Sequence, residues 1–122
     1  MRVHICAVGR LRKGPERDLY DDYLTRFDRT GRAFALGPAR LIEVEDKKGG
    51  GMPAEAALLN RAIPAGSLIC TMDERGDFMS SPDFAARLGT WRDQGRADLT
   101  FVIGGADGID PDLRARADAS LS

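Results

Sequence analysis

The stretch LTFVIGGADGID, residues 99–110, decides how this sequence folds. A run of strand-forming apolar residues leads directly into Gly104 and Gly105, and a third glycine follows at position 108. Glycine loses more conformational freedom on folding than other residues, so it usually marks a positive φ or a close approach of the backbone to something else. The pattern alone leaves two interpretations equally open, a structural turn and a ligand-binding loop.

On either side of this stretch, strand patterns alternate with helix patterns. Apolar β-rich runs predict strands over residues 2–9, 39–46, 67–73 and 97–103. Helical spacing and helix-end signals predict helices over residues 15–27, 53–63, 81–95 and 111–119. This βαβαβαβα order predicts an α/β fold with a mostly parallel sheet and helices on both faces. At 122 residues and 43% hydrophobic content, a single domain over residues 1–122 is expected.

Local signals refine three of these boundaries. Ser81 before Pro82 is predicted to be an N-cap with proline at the first helical position, and Asp110 is predicted to cap the last helix before Pro111. The segment ERGD, residues 74–77, is predicted to be a turn after the third strand. Ligands of parallel sheets bind beyond the carboxyl ends of the strands. The segments after the third and fourth strands therefore predict a cleft at that edge.

Composition excludes several classes of protein and site. The net charge is −1, so any contact with RNA must come from a local basic patch. Cys6 and Cys70 lie in apolar runs without a CxxC motif or a histidine cluster, which predicts buried free thiols and no metal site. His4 is interpreted as a core or strand-face residue. The first apolar run is too short for a signal sequence or a membrane span, so we expect a cytoplasmic protein with no membrane partner.

The glycines do not form a known nucleotide-binding motif. A dinucleotide fingerprint requires G-x-G-x-x-G after the first strand, and a P-loop requires G-K-S/T, neither of which occurs here. The segment GRLRKGP after the first strand is also a poor phosphate loop, which argues against a flavodoxin-type nucleotide-binding domain.

Four segments in order carry a more specific signal: GRLRKGPERDLYDDYLTRF, TMDERG, SSPDFAARLGTWRDQG and FVIGGADGID. Together they resemble the RlmH family over essentially the whole chain. Members of this family are SPOUT-superfamily methyltransferases that methylate N3 of a pseudouridine in 23S ribosomal RNA. The resemblance implies S-adenosyl-L-methionine as cofactor, 23S rRNA within the ribosome as partner, a homodimer, and a sheet whose C-terminal part threads into a trefoil knot.

The resemblance also implies cofactor-binding residues. Residues 71–73 correspond to the first cofactor loop of the family, with Met72 where leucine is usual, and residues 103–105 correspond to the second. Met72, Gly104 and Gly105 are therefore expected to bind the cofactor, with the glycines letting it lie against backbone. The third loop, a long helix and a basic tail follow the segment ADASLS in the family, so the knot-forming part is expected to be absent from residues 1–122.

Other polar residues support weaker expectations. Arg10, Arg12 and Lys13 after the first strand, and Lys47 and Lys48 after the second, are candidates for RNA binding or for solvated loops. Asp73 is interpreted equally as a turn cap and as a catalytic group, and no general base is assigned. Trp91 is predicted to lie in the core, and Asp107 is predicted to close the glycine turn as an Asx-turn. A non-catalytic binding or assembly module with an incomplete cofactor pocket is the alternative function.

Overall fold

The computed structural model describes residues 1–122 and shows a five-stranded sheet with α-helices on both faces. The strands are β1 (Arg2–Val8), β2 (Ala39–Val44), β3 (Leu68–Asp77), β4 (Asp98–Ile103) and β5 (Ala119–Leu121). The α-helices are α1 (Pro15–Gly31), α2 (Gly51–Ala62), α3 (Ser81–Asp93) and α4 (Pro111–Arg116), and a short 3₁₀ turn follows α1 at Arg32–Phe34. The predicted α/β class and the alternation of the first four strands with four helices are confirmed. The last helix, predicted to reach residue 119, ends at Arg116, and β5 follows it.

The strands pair in the order β2-β1-β4-β3-β5, and every pair is parallel. Ala7 of β1 and Met72 of β3 are both register partners of Ile103 of β4. On the other side of β1, Val8 is paired with Val44 of β2. The carboxyl ends of these four strands therefore lie in one row, each about 4.8 Å from the next.

The core is divided between the two faces of the sheet. On one face, Leu59 of α2 and Leu113 of α4 pack with Cys6, Ile69 and Val102 of the strands. On the other face, α3 covers a second cluster. Alternation of side chains along each strand sends Leu68 and Cys70 to this second face and Ile69 to the first. The structure confirms both cysteines as buried free thiols, and burial raises the pKa of each thiol to about 11.

Strand β3 is longer than the sequence suggests, because residues 74–77 continue the strand instead of turning. The extension pairs with β5, and Asp77 is a register partner of Leu121 beyond a β-bulge. Gly76 allows this pairing, because a Cβ on it would lie 2.7 Å from backbone atoms of Leu121. The predicted turn is therefore wrong: a neighbouring strand supplies backbone partners that a local reading of ERGD does not include.

Helix boundaries differ from the predictions by a few residues. The N-cap of α3 is Ser80 and not Ser81; its hydroxyl accepts a 3.2 Å hydrogen bond from the N–H of Asp83. Asp110 caps α4 as predicted and accepts hydrogen bonds from Asp112 and Leu113. Trp91 is half-buried against the second cluster, with the Arg87 guanidinium 5.8 Å from its ring centroid. None of the helices combines the length and the apolar character that crossing a membrane requires.

Candidate functional site

The carboxyl edge of the sheet carries a cleft of about 540 Å³, here called the carboxyl-edge cleft. It lies between the ends of β3 and β4 and the start of α4. The side chains and backbone that line it are Met52, Met72, Asp73, Glu74, Arg75, Ile103, Gly104, Gly105, Ala106, Asp107, Gly108, Ile109, Pro111 and Arg114. A volume of this size falls within the range of small-molecule sites. The structure thus brings Met72, Gly104 and Gly105 together in one cleft.

Residues 104–108, the glycine turn, form one wall of the cleft. The N–H of Gly108 donates a 3.0 Å hydrogen bond to the carbonyl oxygen of Gly105, and Gly108 has a φ of +86° that favours glycine. A Cβ on Gly104 would lie 2.7 Å from the carbonyl oxygen of Gly108. Gly104 and Gly108 are therefore required for the turn to fold back on itself. Asp107 does not close the turn as an Asx-turn, contrary to the sequence prediction; the backbone hydrogen bond from Gly108 to Gly105 closes it.

Gly105 faces a different neighbour. A Cβ at this position would lie 3.0 and 3.1 Å from the two carboxylate oxygens of Glu55, which belongs to α2, and 3.2 Å from Cγ1 of Val8. A glutamate side chain can move where a backbone carbonyl cannot, so the two glycines differ in how strictly their position excludes a side chain.

Two apolar side chains at the strand ends remain open to solvent. Met72 is 39% exposed and Ile103 is 43% exposed, although each follows a fully buried residue, Thr71 and Val102. Their exposure at the mouth of a cleft provides an apolar surface that an aromatic or aliphatic part of a ligand can cover.

Charged groups occupy another wall of the cleft. Asp73 and Arg114 are partly buried there, with side-chain exposures of 11% and 28%, and Asp73 Oδ2 lies 3.7 Å from Arg114 Nε. The Oδ1 atom of Asp73 accepts a 3.0 Å hydrogen bond from the N–H of Arg75. This hydrogen bond lies within β3, in the part where its register with β5 shifts, and does not cap a turn.

The two basic loops begin beside each other at the same edge. The N–H of Gly9 donates a 2.8 Å hydrogen bond to the carbonyl oxygen of Val44, so the segments after β1 and β2 start side by side. Arg10 forms an ion pair with Glu45 at 3.3 Å. Four other basic side chains, which form no salt bridge, are exposed: Arg12, Lys13, Lys47 and Lys48. The loop after β1 is one strand away from the glycine turn, so this positive charge flanks the cleft.

The opposite edge of the sheet carries a second polar group, the amino-edge cluster of Arg2, His4, Arg40 and Asp98. His4 is 4% exposed; its Nδ1 accepts a 2.7 Å hydrogen bond from Arg40 Nε, so its Nε2–H donates to Asp98 Oδ1 at 2.8 Å. Arg2 donates to both oxygens of Asp98. Hydrogen bonds, first from His4 and then from Arg2, hold the pKa of Asp98 below its ordinary value. His4 is thus a buried strand residue, as predicted.

Sequence reasoning missed Arg114, Met52 and Ile109 as residues near the proposed cofactor position. A signal for Arg114 was present, because α4 starts only two residues after the glycine turn and its first turns must lie at the same edge. Met52 comes from α2, whose placement beside the glycine turn depends on tertiary packing and has no local signal. No group of three or more His, Cys, Asp or Glu side chains is arranged to hold a metal ion.

Comparisons with known proteins add independent information. Residues 1–122 match the sequence profile of a family described as "Predicted SPOUT methyltransferase". The protein named ribosomal RNA large subunit methyltransferase H from Ruegeria sp. strain TM1040 is 73% identical over 122 residues, which are 100% of this chain and 78% of that relative. Proteins of the same name from Ruegeria pomeroyi and Roseobacter denitrificans are each 71% identical with the same coverage.

Proposed function

The chain belongs to the SPOUT methyltransferase family, and from this premise we propose that it transfers a methyl group from S-adenosyl-L-methionine to N3 of a pseudouridine in 23S ribosomal RNA. The names of relatives more than 70% identical support a methyltransferase that acts on large-subunit ribosomal RNA. The observation that carries the choice of cofactor is the carboxyl-edge cleft, since it unites Met72 with the glycine turn.

The residues of the cleft fit an S-adenosyl ligand in size and chemistry. Adenosine offers a flat apolar surface with polar edges, and the cleft offers exposed Met72 and Ile103 beside the backbone of the glycine turn. Backbone N–H and C=O groups can pair with polar edges where no Cβ intervenes. A sulfonium compound supplies an electrophilic methyl group, so the main tasks of these residues are binding and alignment.

The flanking basic loops are proposed to hold the RNA. Phosphates bind lysine and arginine side chains, and Arg12, Lys13, Lys47 and Lys48 have no competing ion pair. Arg10 is paired with Glu45, so it is expected to contribute less to RNA binding. Because the loop after β1 starts next to the glycine turn, RNA bound there can present a base to the cleft.

The transfer forms a bond between the methyl carbon and N3, breaks the sulfur–methyl bond, and releases the N3 proton. The electron pair of the broken bond stays on sulfur, which leaves S-adenosylhomocysteine. A group that accepts the proton or stabilises the anion of the base speeds such a step. We assign no residue of this chain to that role.

A homodimer is part of the proposal and is supported by an apolar groove away from the cleft. Helix α1 leaves Tyr23 58% exposed, and a groove of about 540 Å³ runs between this helix and Val3, Ile5 and Phe101 of the sheet. Apolar side chains that are exposed together along a groove are a feature of interaction sites. Sedimentation velocity of the full gene product should show a dimer, and Tyr23→Glu should shift it to monomer. A wild-type monomer at micromolar concentration would contradict this part of the proposal.

The methyl transfer itself is tested with the full gene product, methyl-labelled S-adenosylmethionine, and ribosomes that lack the modification. Label should appear in 23S rRNA as N3-methylpseudouridine, detected by nucleoside mass spectrometry. The 16S rRNA of the same ribosomes serves as an internal control. Binding of S-adenosylmethionine without transfer to any rRNA would favour the non-catalytic module instead.

A further inference from the structure

Arg114 is the one arginine of the chain with a buried side-chain nitrogen that has no hydrogen-bond partner. Its Nε is buried without a partner, and the nearest carboxylate oxygen, on Asp73, is 3.7 Å away and beyond hydrogen-bonding distance. By contrast, Arg2 makes two hydrogen bonds to Asp98. A buried donor without a partner costs free energy, which an arriving acceptor recovers.

The position of Arg114 in the cleft is fixed by its neighbour. Leu113 is 1% exposed in the core, so α4 is anchored to the sheet immediately before Arg114. The backbone N–H of Arg114 also donates a 3.0 Å hydrogen bond to the carbonyl oxygen of Asp110. An anchored backbone limits the region that the guanidinium reaches, and that region includes the wall of the cleft.

Among the charged residues that line the cleft, Asp73 and Arg114 are the two whose side chains are withdrawn from solvent. Glu74, Arg75 and Asp107 are exposed, so water screens their charges. Electrostatic interactions strengthen as the local dielectric falls. The cleft therefore has one polar position at which a ligand meets a positive and a negative charge side by side.

We propose that Asp73 and Arg114 form the subsite for the α-amino-acid end of the S-adenosyl ligand, with Arg114 donating to its α-carboxylate and Asp73 facing its α-ammonium. The proposal rests on the proposed function, since it concerns the same cleft. An α-amino acid carries both charges on one carbon, which matches a neighbouring carboxylate and guanidinium. The planar guanidinium suits a carboxylate because it donates two parallel hydrogen bonds.

Comparison of two ligands distinguishes binding at this subsite from binding in the rest of the cleft. S-Adenosylhomocysteine contains adenosine, the thioether and the amino-acid end, whereas 5′-methylthioadenosine lacks the amino-acid end. Calorimetric titration of both into the full gene product and into Arg114→Gln measures the subsite directly. We expect Arg114→Gln to weaken S-adenosylhomocysteine about 10- to 100-fold, as for a lost charged hydrogen bond, and to leave methylthioadenosine within about twofold.

Matched variants complete the test. Arg116→Gln, on the same helix but outside the cleft, should change neither affinity, and Asp73→Asn should weaken S-adenosylhomocysteine selectively. Unchanged methylthioadenosine binding also shows that the variants are folded. Equal weakening of both ligands by Arg114→Gln would overturn the proposal, as would unchanged binding of both ligands. If the wild type binds neither ligand, the proposed function itself fails.

Discussion

The two edges of the sheet each carry a group of charged residues, but the groups differ in how completely they are paired. At the amino edge, both ring nitrogens of His4 and both oxygens of Asp98 have hydrogen-bond partners within the chain. At the carboxyl edge, Arg114 Nε has none, and Met72 is exposed. A polar cluster that satisfies itself stabilises the fold, whereas one with open positions is available to a ligand.

This comparison explains why a buried histidine next to an aspartate is not the candidate site here. His4 accepts a hydrogen bond from Arg40 at Nδ1, so its remaining proton is committed to Asp98. A general base must have a lone pair that can reach the substrate. In His4 that lone pair is already used, and the group serves to join β1, β2 and β4.

The largest expected effect comes from filling the space at Gly104. Gly104→Ala should lower the free energy of unfolding by about 3 kcal/mol, because the new methyl group meets the Gly108 carbonyl and the backbone must shift. It should also abolish binding of S-adenosylhomocysteine, since the glycine turn forms a wall of the cleft. Urea denaturation and calorimetric titration measure the two effects.

Gly105→Ala is the matched control for that variant. Its added methyl group meets only side-chain atoms, the carboxylate of Glu55 and Cγ1 of Val8, which can shift at a cost of about 1 kcal/mol. The two substitutions make the same chemical change one residue apart. Equal losses of stability in both would contradict the difference in packing between Gly104 and Gly105.

At the amino edge, Asp98→Asn should destabilise the fold without changing the affinity for S-adenosylhomocysteine. The amide keeps the shape of the carboxylate but loses the charge that accepts hydrogen bonds from Arg2 and His4, so we expect a loss of about 2 kcal/mol. Asp93→Asn removes an exposed ion pair with Arg92 and should cost less than about 1 kcal/mol. Weaker binding of S-adenosylhomocysteine by Asp98→Asn would mean that the two edges are coupled.

The lowered pKa of Asp98 predicts that the stability of the fold depends on pH. The folded state lowers the pKa of Asp98, so below the unfolded value of about 3.9 the unfolded chain binds more protons than the folded one. This contribution is therefore fully present above about pH 5 and is lost as the pH falls through the folded pKa. Comparison of wild type with Asp98→Asn isolates it, and parallel curves between pH 5 and pH 2 would show that Asp98 does not contribute.

The sequence predicted the parallel sheet and the glycine-lined cleft because both depend on local patterns. Each strand and helix has its own periodicity, and the carboxyl edge of a parallel sheet follows from the alternation. The resemblance of four ordered segments then indicated the family, and the match to the family profile confirms that membership.

The extension of β3 and the role of Arg114 required the three-dimensional arrangement. Residues 74–77 contain charged residues and a glycine, which is typical of a turn, yet β5 pairs with them across a bulge. Local propensity is overridden when a neighbouring strand supplies hydrogen bonds. Likewise, nothing in the segment around Arg114 shows that its Nε lacks a hydrogen-bond partner, since that depends on its distance to Asp73.

The smallest expected effect concerns the exposed lysines and arginines that flank the cleft. Removing two charges with Lys47→Gln and Lys48→Gln should reduce the slope of log affinity for rRNA against log salt by about 1 to 2 and weaken binding several-fold. Affinity for S-adenosylhomocysteine should not change. Filter binding at several salt concentrations measures the slope.

The control for the lysine double variant also removes two positive charges, but at the opposite edge of the sheet. It combines Arg29→Gln and Arg32→Gln, near the carboxyl end of α1. Asp28 of this helix accepts a hydrogen bond from the N–H of Ala39, where β2 begins, so these arginines lie at the amino edge. If charge acted only through the net charge of the protein, both double variants would change the slope equally. A change confined to Lys47 and Lys48 would instead mean that RNA approaches the edge where the cleft opens.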